Sequence, residues 1–168
     1  MEDKLILVNY LDEEIGSAYK LEAHKKALLH RAFSIFIFNG DKLLIQKRAD
    51  NKYHSGGLWA NTCCSHPRVN ETLKEATTRR LEFECGIKTE LKEVGSFIYH
   101  TAYDNGLSEY EYDHVFVGEY AGELRINKDE IAQIKEVDLE WLLEDIVNNP
   151  FNYASWFKTA LEIVIRNR

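Results

Sequence analysis

Cysteine, proline and methionine are scarce in this 168-residue chain, which has three cysteines, two prolines and one methionine beside nine glycines. Cys63, Cys64 and Cys85 are odd in number, and two of them are adjacent, a geometry that strains a direct bridge. A disulfide framework is therefore not expected. No apolar run approaches the ~18–20 residues that cross a bilayer as a helix. The start, MEDKLILVNYLDEE, is acidic and holds only a short apolar run, unlike a secretory leader. The expectation is a cytoplasmic protein with no membrane partner. No internal repeat, low-complexity tract or linker-like stretch interrupts the sequence, so one domain over residues 1–168 is expected. Positive charge is also short, with 21 Lys and Arg against 28 Asp and Glu and a net charge of −7. A general nucleic-acid binder presents a basic surface, so nucleic acid is not an expected partner. A small anion still fits if a few cations converge.

Hydrophobic residues make up 45% of the chain, enough for a core. LILVNY (5–10) reads as a strand. RAFSIFIFNGDKLLIQKRA (31–49) reads as two strands around an Asn39-Gly40-Asp41 turn, followed by the loop HSGGLW (54–59). ETLKEATTRRLEFECG (71–86) reads as a helix, with Thr72 and Glu75 spaced as a capping box and Gly86 as its C-terminal cap. Leu73, Ala76 and Leu81 share its apolar face, and Arg80 and Glu84 share another. Residues 91–103 and 109–120 read as strands around Asp104-Asn105-Gly106. Helical patterns follow at 139–149, stopped by Pro150, and at 154–166, with Phe157, Leu161 and Val164 on one face and Trp156 on the same helix. Strands interspersed with helices indicate an α/β or α+β sandwich.

Several side chains could carry chemistry. Glu109 and Glu111 fall on one face of a strand. Such a pair is a solvated face, or the carboxylates of a cation site. Six histidines are present, His24, His30, His54, His66, His100 and His114, and spacing alone does not choose among them. In NTCCSHP (61–67), Cys64 reads equally as a buried filler, a zinc ligand or a nucleophile paired with His66. Arg48, Lys52 and Arg80 suit a phosphate clamp or an ordinary surface. Trp156 suits the core, or a cation held against its face.

Taken together, HRAFSIFIFN, LLIQKRADNK, GLWANTCCSHP, RRLEFECG and EYEYDHVF resemble the type I isopentenyl-diphosphate isomerases, a family with the Nudix fold. The resemblance runs from about Leu5 to the Trp156 helix. It implies an α/β/α sandwich around a mixed sheet. It implies a reaction that interconverts isopentenyl and dimethylallyl diphosphate by protonation and deprotonation through a tertiary carbocation-like state. By position, Cys64 and Glu111 match catalytic groups on opposite faces of the substrate, and Tyr99 matches a tyrosine beside the glutamate. His24, His30, His66, Glu109 and Glu111 match the ligands of a divalent metal, which the resemblance leaves as Mn²⁺, Zn²⁺ or Mg²⁺. Lys20, Arg48, Lys52 and Arg80 match diphosphate contacts. Glu84 matches the carboxylate near the Mg²⁺ that accompanies the diphosphate, and Trp156 the aromatic residue facing the cation. The gap between His24 and His30 is shorter than in some members, and Cys63 has no matching role. The implied partner is a small diphosphate, and a monomer is compatible with it.

Two alternatives stand beside this. A Nudix hydrolase of a nucleoside diphosphate carries G-x5-E-x7-R-E-U-x-E-E-x-G-U, where U is aliphatic. Here residues 79–87 read RRLEFECGI, so Arg80 and Phe83 replace two glutamates, and Ser65 stands at the first glycine. Loss of those carboxylates works against multi-metal activation of water. An inactive Nudix-like binding module would lack a site group, and none is missing.

Overall fold

The computed structural model describes residues 3–52 and 55–168. His54, at the start of the predicted HSGGLW loop, lies outside the described residues. In chain order the elements are β1 (Lys4–Val8), β2 (Glu14–Tyr19), α1 (Lys20–Lys26), β3 (His30–Asn39), β4 (Lys42–Arg48), β5 (Trp59–Ala60) and β6 (Cys63–Ser65). They continue with α2 (Leu73–Cys85), β7 (Leu91–Ala102), β8 (Ser108–Glu119), β9 (Ile131–Asp138), α3 (Leu139–Asn148) and α4 (Phe157–Asn167). Among the described residues, nine strands share one sheet.

The sheet is organised around β3. Its segment AFSIFIF is buried at every position, the mark of a strand covered on both faces. Phe36 and Phe38 face Leu142 of α3 and Phe157, Leu161 and Val164 of α4. Phe33, Ile35 and Ile37 face Ala76, Leu81 and Cys85 of α2. The result is a helix layer on each face of the sheet, an α/β/α sandwich. Each fully buried aliphatic or phenyl side chain contributes roughly 1.5–3 kcal/mol of transfer free energy.

Pairing along β3 sets up the site. Residues 33–35 pair antiparallel with β6 and parallel with β8. A strand residue has two edges, so β6 and β8 lie on opposite sides of β3. The parallel β3–β8 pair among antiparallel neighbours makes the sheet mixed, as expected.

Local sequence explains the frame. Thr72 and Glu75 form both hydrogen bonds of the capping box at the start of α2, an arrangement worth about 1 kcal/mol. Gly86 closes that helix at φ +70°, and a Cβ there would lie 2.8 Å from Cβ of Arg125. The β3–β4 hairpin turns through Gly40 at φ +61°.

Some elements depart from the sequence-based reading. β2, α1, β5, β6 and β9 were not anticipated. β9 (IAQIKEVD) does not alternate cleanly in sequence, and β4 pairs with it along its length. The last helix starts later than expected, so Trp156 is not within it. Trp156 precedes the first turn of α4 as its N-cap residue.

Candidate active site

Strand alternation delivers the carboxylates. On β8, Glu109, Glu111 and Asp113 are buried, while Tyr110 and Tyr112 on the other face are partly exposed. His30 of β3 sits directly opposite Glu111, and Tyr99 of β7 opposes Glu111 from the other side. In α1, Lys20 and His24 are one turn apart and so share a face. Alternation also separates the adjacent cysteines. Cys63 is fully buried against α2, whereas Cys64, opposite Ser34, packs near Trp156 and Tyr99.

Cys64, Tyr99, Glu111 and Trp156 all line one cavity. The cations Lys20, Arg48, Lys52 and Arg80 open onto the same cavity, with Glu109, Asp113 and His66. The Cys64 and Glu111 side chains therefore reach one space from strands on opposite sides of β3.

The histidines and Glu111 form a compact donor set. One atom from each of His24, His30, His66 and Glu111 lies within 4.8 Å of every other. Nδ1–H of His24 donates to the carbonyl of Lys20 at 2.6 Å, and Nδ1–H of His30 to that of Leu28 at 2.9 Å. These bonds fix the tautomers and leave the Nε2 lone pairs directed inward, the form a metal takes. His30 Nε2 is buried without hydrogen-bond geometry, although Glu111 Oε2 is 3.3 Å away. His66 Nε2 is 2.9 Å from the same oxygen. Glu109 Oε1 lies 3.9 Å from His24 Nε2, at the edge of the cluster. The shorter gap before His30 does not displace His24. Imidazole nitrogens with a carboxylate suit a divalent ion of the Mn²⁺ or Zn²⁺ type.

Burial and this clustering govern the ionisation of the site. Burial resists charge on Glu111, but the neighbouring His30 and His66 imidazoles outweigh it and hold the carboxyl well below its usual range. Burial also opposes charge on both histidines. For His30 the Glu111 contact prevails and the pKa is raised. For His66 burial prevails, and the pKa falls to about 4 despite Glu111. Tyr99 Oη lies 2.6 Å from Glu111 Oε1 and 2.9 Å from Glu109 Oε2, so its one proton serves either carboxylate. Burial and then the charge of Glu111 push that phenol well above its ordinary pKa. Burial pushes the Cys64 thiol up to about 12, against the opposing effect of Arg48. Nη1 of Arg48 is 3.4 Å from the sulfur.

At the cationic part of the cavity, like charges crowd one another. Lys20 is lowered by burial and then by Arg48 and Arg80. Lys52 is lowered to about 8, by burial first. Arg80 is engaged by Glu84 at 2.5 Å and by Glu130 at 2.9 Å, and Lys52 also pairs with Glu130. A bound polyanion would relieve the repulsion among them. Glu84 is 2% exposed and stands behind Arg80 rather than on the cavity wall, with Gln46 donating to its other oxygen at 3.2 Å.

The sequence-based reading omitted Asp113, Asn61 and Glu130. Asp113 continues the period-two series begun by Glu109 and Glu111, a signal that was available. Asn61 lies within the NTCCSHP block. Glu130 has no local signal, because its partners Lys52 and Arg80 come from other parts of the chain.

The NUDIX domain family matches residues 28–157. The chain is 54% identical to an isopentenyl-diphosphate Delta-isomerase 2 of Photorhabdus laumondii, over 96% of this chain and 92% of that protein. It is 48% identical to an isopentenyl-diphosphate Delta-isomerase 2 of Aromatoleum aromaticum, over 100% of this chain and 89% of that protein. This chain belongs to the isopentenyl-diphosphate Delta-isomerase family, within the Nudix fold. Among solved structures, DR0079 of Deinococcus radiodurans aligns with a TM-score of 0.75 at 18% identity, covering 99% of this chain and 100% of that one. A MutT Nudix hydrolase of Burkholderia pseudomallei aligns at 0.64 and 19% identity, over 81% of this chain and 98% of that one. These likenesses concern the fold alone.

Within this isomerase, the remnants of the hydrolase motif have structural tasks. Glu71 is clamped by both Nε and Nη2 of Arg79, at 2.7 and 2.8 Å. Phe83 is exposed and lies beneath the Arg80 guanidinium. Arg80, standing where a hydrolase has glutamate, supplies a cation to the cavity instead of a metal-binding carboxylate.

Proposed function

We propose that this isomerase family member interconverts isopentenyl and dimethylallyl diphosphate in the cavity between Cys64 and Glu111, as a cytoplasmic single-domain enzyme of isoprenoid precursor synthesis. The observation that carries this reading is that Cys64 and the Tyr99–Glu111 pair line one cavity from strands on opposite sides of β3. A proton added to the terminal alkene carbon leaves a tertiary cation, and a proton lost from the neighbouring methylene places the new double bond. One group is needed near each end of this short chain, and an alkene is so weak a base that the acid must be held close with water excluded. The Tyr99–Glu111 pair exchanges a proton on one face and Cys64 on the other, with roles reversed in the return direction.

The diphosphate stays attached throughout, so it must be bound firmly. Lys20, Arg48, Lys52 and Arg80 are assigned to it. Arg offers a planar fork to phosphate oxygens and Lys a mobile charge. Glu84 is assigned to a Mg²⁺ that arrives with the diphosphate, and it would reach that ion once Arg80, which now covers it, turns toward the diphosphate. His24, His30, His66 and Glu111, with Glu109 beside them, would hold a second divalent ion, Mn²⁺, Zn²⁺ or Mg²⁺. Such an ion would neutralise the paired carboxylates and orient Glu111. Trp156 presents an aromatic ring to the cation, an interaction worth about 0.5–2 kcal/mol.

The test is incubation with isopentenyl diphosphate and Mg²⁺ in D₂O, followed by NMR of the methyl signals. The wild-type chain forms deuterated dimethylallyl diphosphate without releasing phosphate. Cys64→Ala and Glu111→Gln each lower turnover by at least roughly 10²-fold. Wild-type rates in both variants refute the residue assignment. Phosphate release without isomerisation points instead to a hydrolase.

A further inference from the structure

We propose that Asn61 is a positioning residue that locks the Trp156 indole to the strand carrying Cys64, so that the ring keeps its face toward the developing cation. Asn61 is fully buried. Its Nδ2 donates to the carbonyl of Cys63 at 2.7 Å and to that of Ile35 at 3.2 Å, and its Oδ1 accepts from Nε1–H of Trp156 at 3.0 Å. This set of partners fixes the amide orientation, because a flipped amide would turn its oxygen toward two carbonyls. One side chain thus ties β3, the residue before Cys64 and the indole together.

The backbone alone leaves the ring unspecified. Ala154 N–H donates to the Trp59 carbonyl at 2.9 Å, which docks the segment before α4 on β5. That contact places the Cα of Trp156 but not its side-chain torsions. Trp156 is an N-cap residue without a side-chain capping bond, so the helix does not set them either. An indole has a negative face and a positive edge, and N–H is the most positive part of that edge. Asn61 Oδ1 takes up this N–H and keeps it away from the reacting carbons. The Arg48 guanidinium stands over the same ring, 5.2 Å from its centroid, so loss of the bond would weaken stabilisation of the cation and would also reach the diphosphate clamp through Arg48.

This inference rests on the proposed isomerisation in the Cys64–Glu111 cavity. It is tested by replacing Trp156 with β-(3-benzothienyl)alanine, which keeps the fused ring but lacks the N–H, alongside Asn61→Ala and the double variant. Each single change lowers kcat by roughly 3- to 30-fold, the range a cation–π contact covers. Each also weakens binding of a diphosphate whose ammonium nitrogen replaces the cationic carbon, by a similar factor. The double variant loses no more than either single change. Losses that multiply, an unchanged benzothienyl variant, or an effect confined to KM overturns the role of Asn61. If Asn61→Ala does not fold, the benzothienyl variant decides alone. An inactive wild-type chain overturns the underlying isomerase reading, whereas an active one with undiminished variants overturns only the proposal for Asn61.

Discussion

Tyr99 and Glu111 face each other across the β7–β8 pair, with the phenol oxygen 2.6 Å from Oε1 of the carboxylate. The other oxygen of Glu111 belongs to the histidine cluster. One carboxylate thus spans two environments, a hydrogen-bonded edge facing Tyr99 and an edge suited to a metal. Tyr99→Phe removes the hydroxyl from both Glu109 and Glu111 and keeps the ring. The expected outcome is a fall in kcat of roughly 10²-fold with KM nearly constant, measured by steady-state isomerisation. An equal rise in KM would mean that the hydroxyl serves binding and not proton exchange.

Titration of Lys52 predicts a pH dependence of binding. Its pKa in the unliganded protein is about 8, lowered by burial and by Arg48 and Arg80, while Glu84 and Cys64 act in the opposite direction. Glu130 pairs with it directly. The amine is charged below that value and neutral above it. KM for the diphosphate therefore rises above pH 8, and Lys52→Arg lessens that rise because guanidinium does not titrate there, leaving Lys20 as the titrating lysine of the clamp. A wild-type KM independent of pH between 7 and 9 would remove Lys52 from the clamp.

Chelation tests the histidine cluster. The inward Nε2 atoms of His24 and His30 and the shared oxygen of Glu111 have their tautomers and ionisation already arranged for a cation. Exhaustive chelation should abolish turnover and lower Tm. A ligand at a hundred times its Kd adds about 2.7 kcal/mol, which in a chain of this size is roughly 5–10 °C. Metal analysis after dialysis should find one ion retained by the wild type at this cluster and none by His30→Ala. Equal metal content in both proteins would place the ion elsewhere.

Legibility of the fold and site followed the range of the forces involved. The α2 boundaries were readable because a capping box and a C-terminal glycine act within a few residues. The β3–β4 and β7–β8 hairpins were readable from their turns for the same reason. β9 was not, because its strand character comes from pairing with β4, far away in sequence. Strand alternation placed Glu109 and Glu111 on one face but could not bring His24, His30 and His66 to them. That convergence depends on α1 and on the β3–β8 register. Nor could local spacing separate Cys63 from Cys64. Their different fates follow from β6 lying between the α2 core and the cavity, and only the family resemblance had singled out Cys64 beforehand.

Asp113 gives the last test, since it lies in the cavity beside the proposed catalytic groups yet no role has been assigned to it. It is 1% exposed and accepts a hydrogen bond from Ser34 Oγ at 2.9 Å. Burial first, and then the charge of Glu111, raises its pKa well above the usual carboxylate value. The folded chain therefore holds the proton of this acid to a higher pH than the unfolded chain does. A group with its folded pKa raised contributes stability below its unfolded pKa and loses that contribution as pH rises toward the folded value. Asp113→Asn keeps the shape and the acceptor for Ser34 but cannot ionise in either state. The variant should turn over within about twofold of wild type, and its Tm relative to wild type should be higher at pH 7.5 than at pH 4.5. If Asp113 works instead as a carboxylate, the same substitution lowers kcat by roughly tenfold or more. Kinetics and thermal melts of this one variant therefore decide whether the third acid on β8 is a neutral part of the cavity floor or a charged participant.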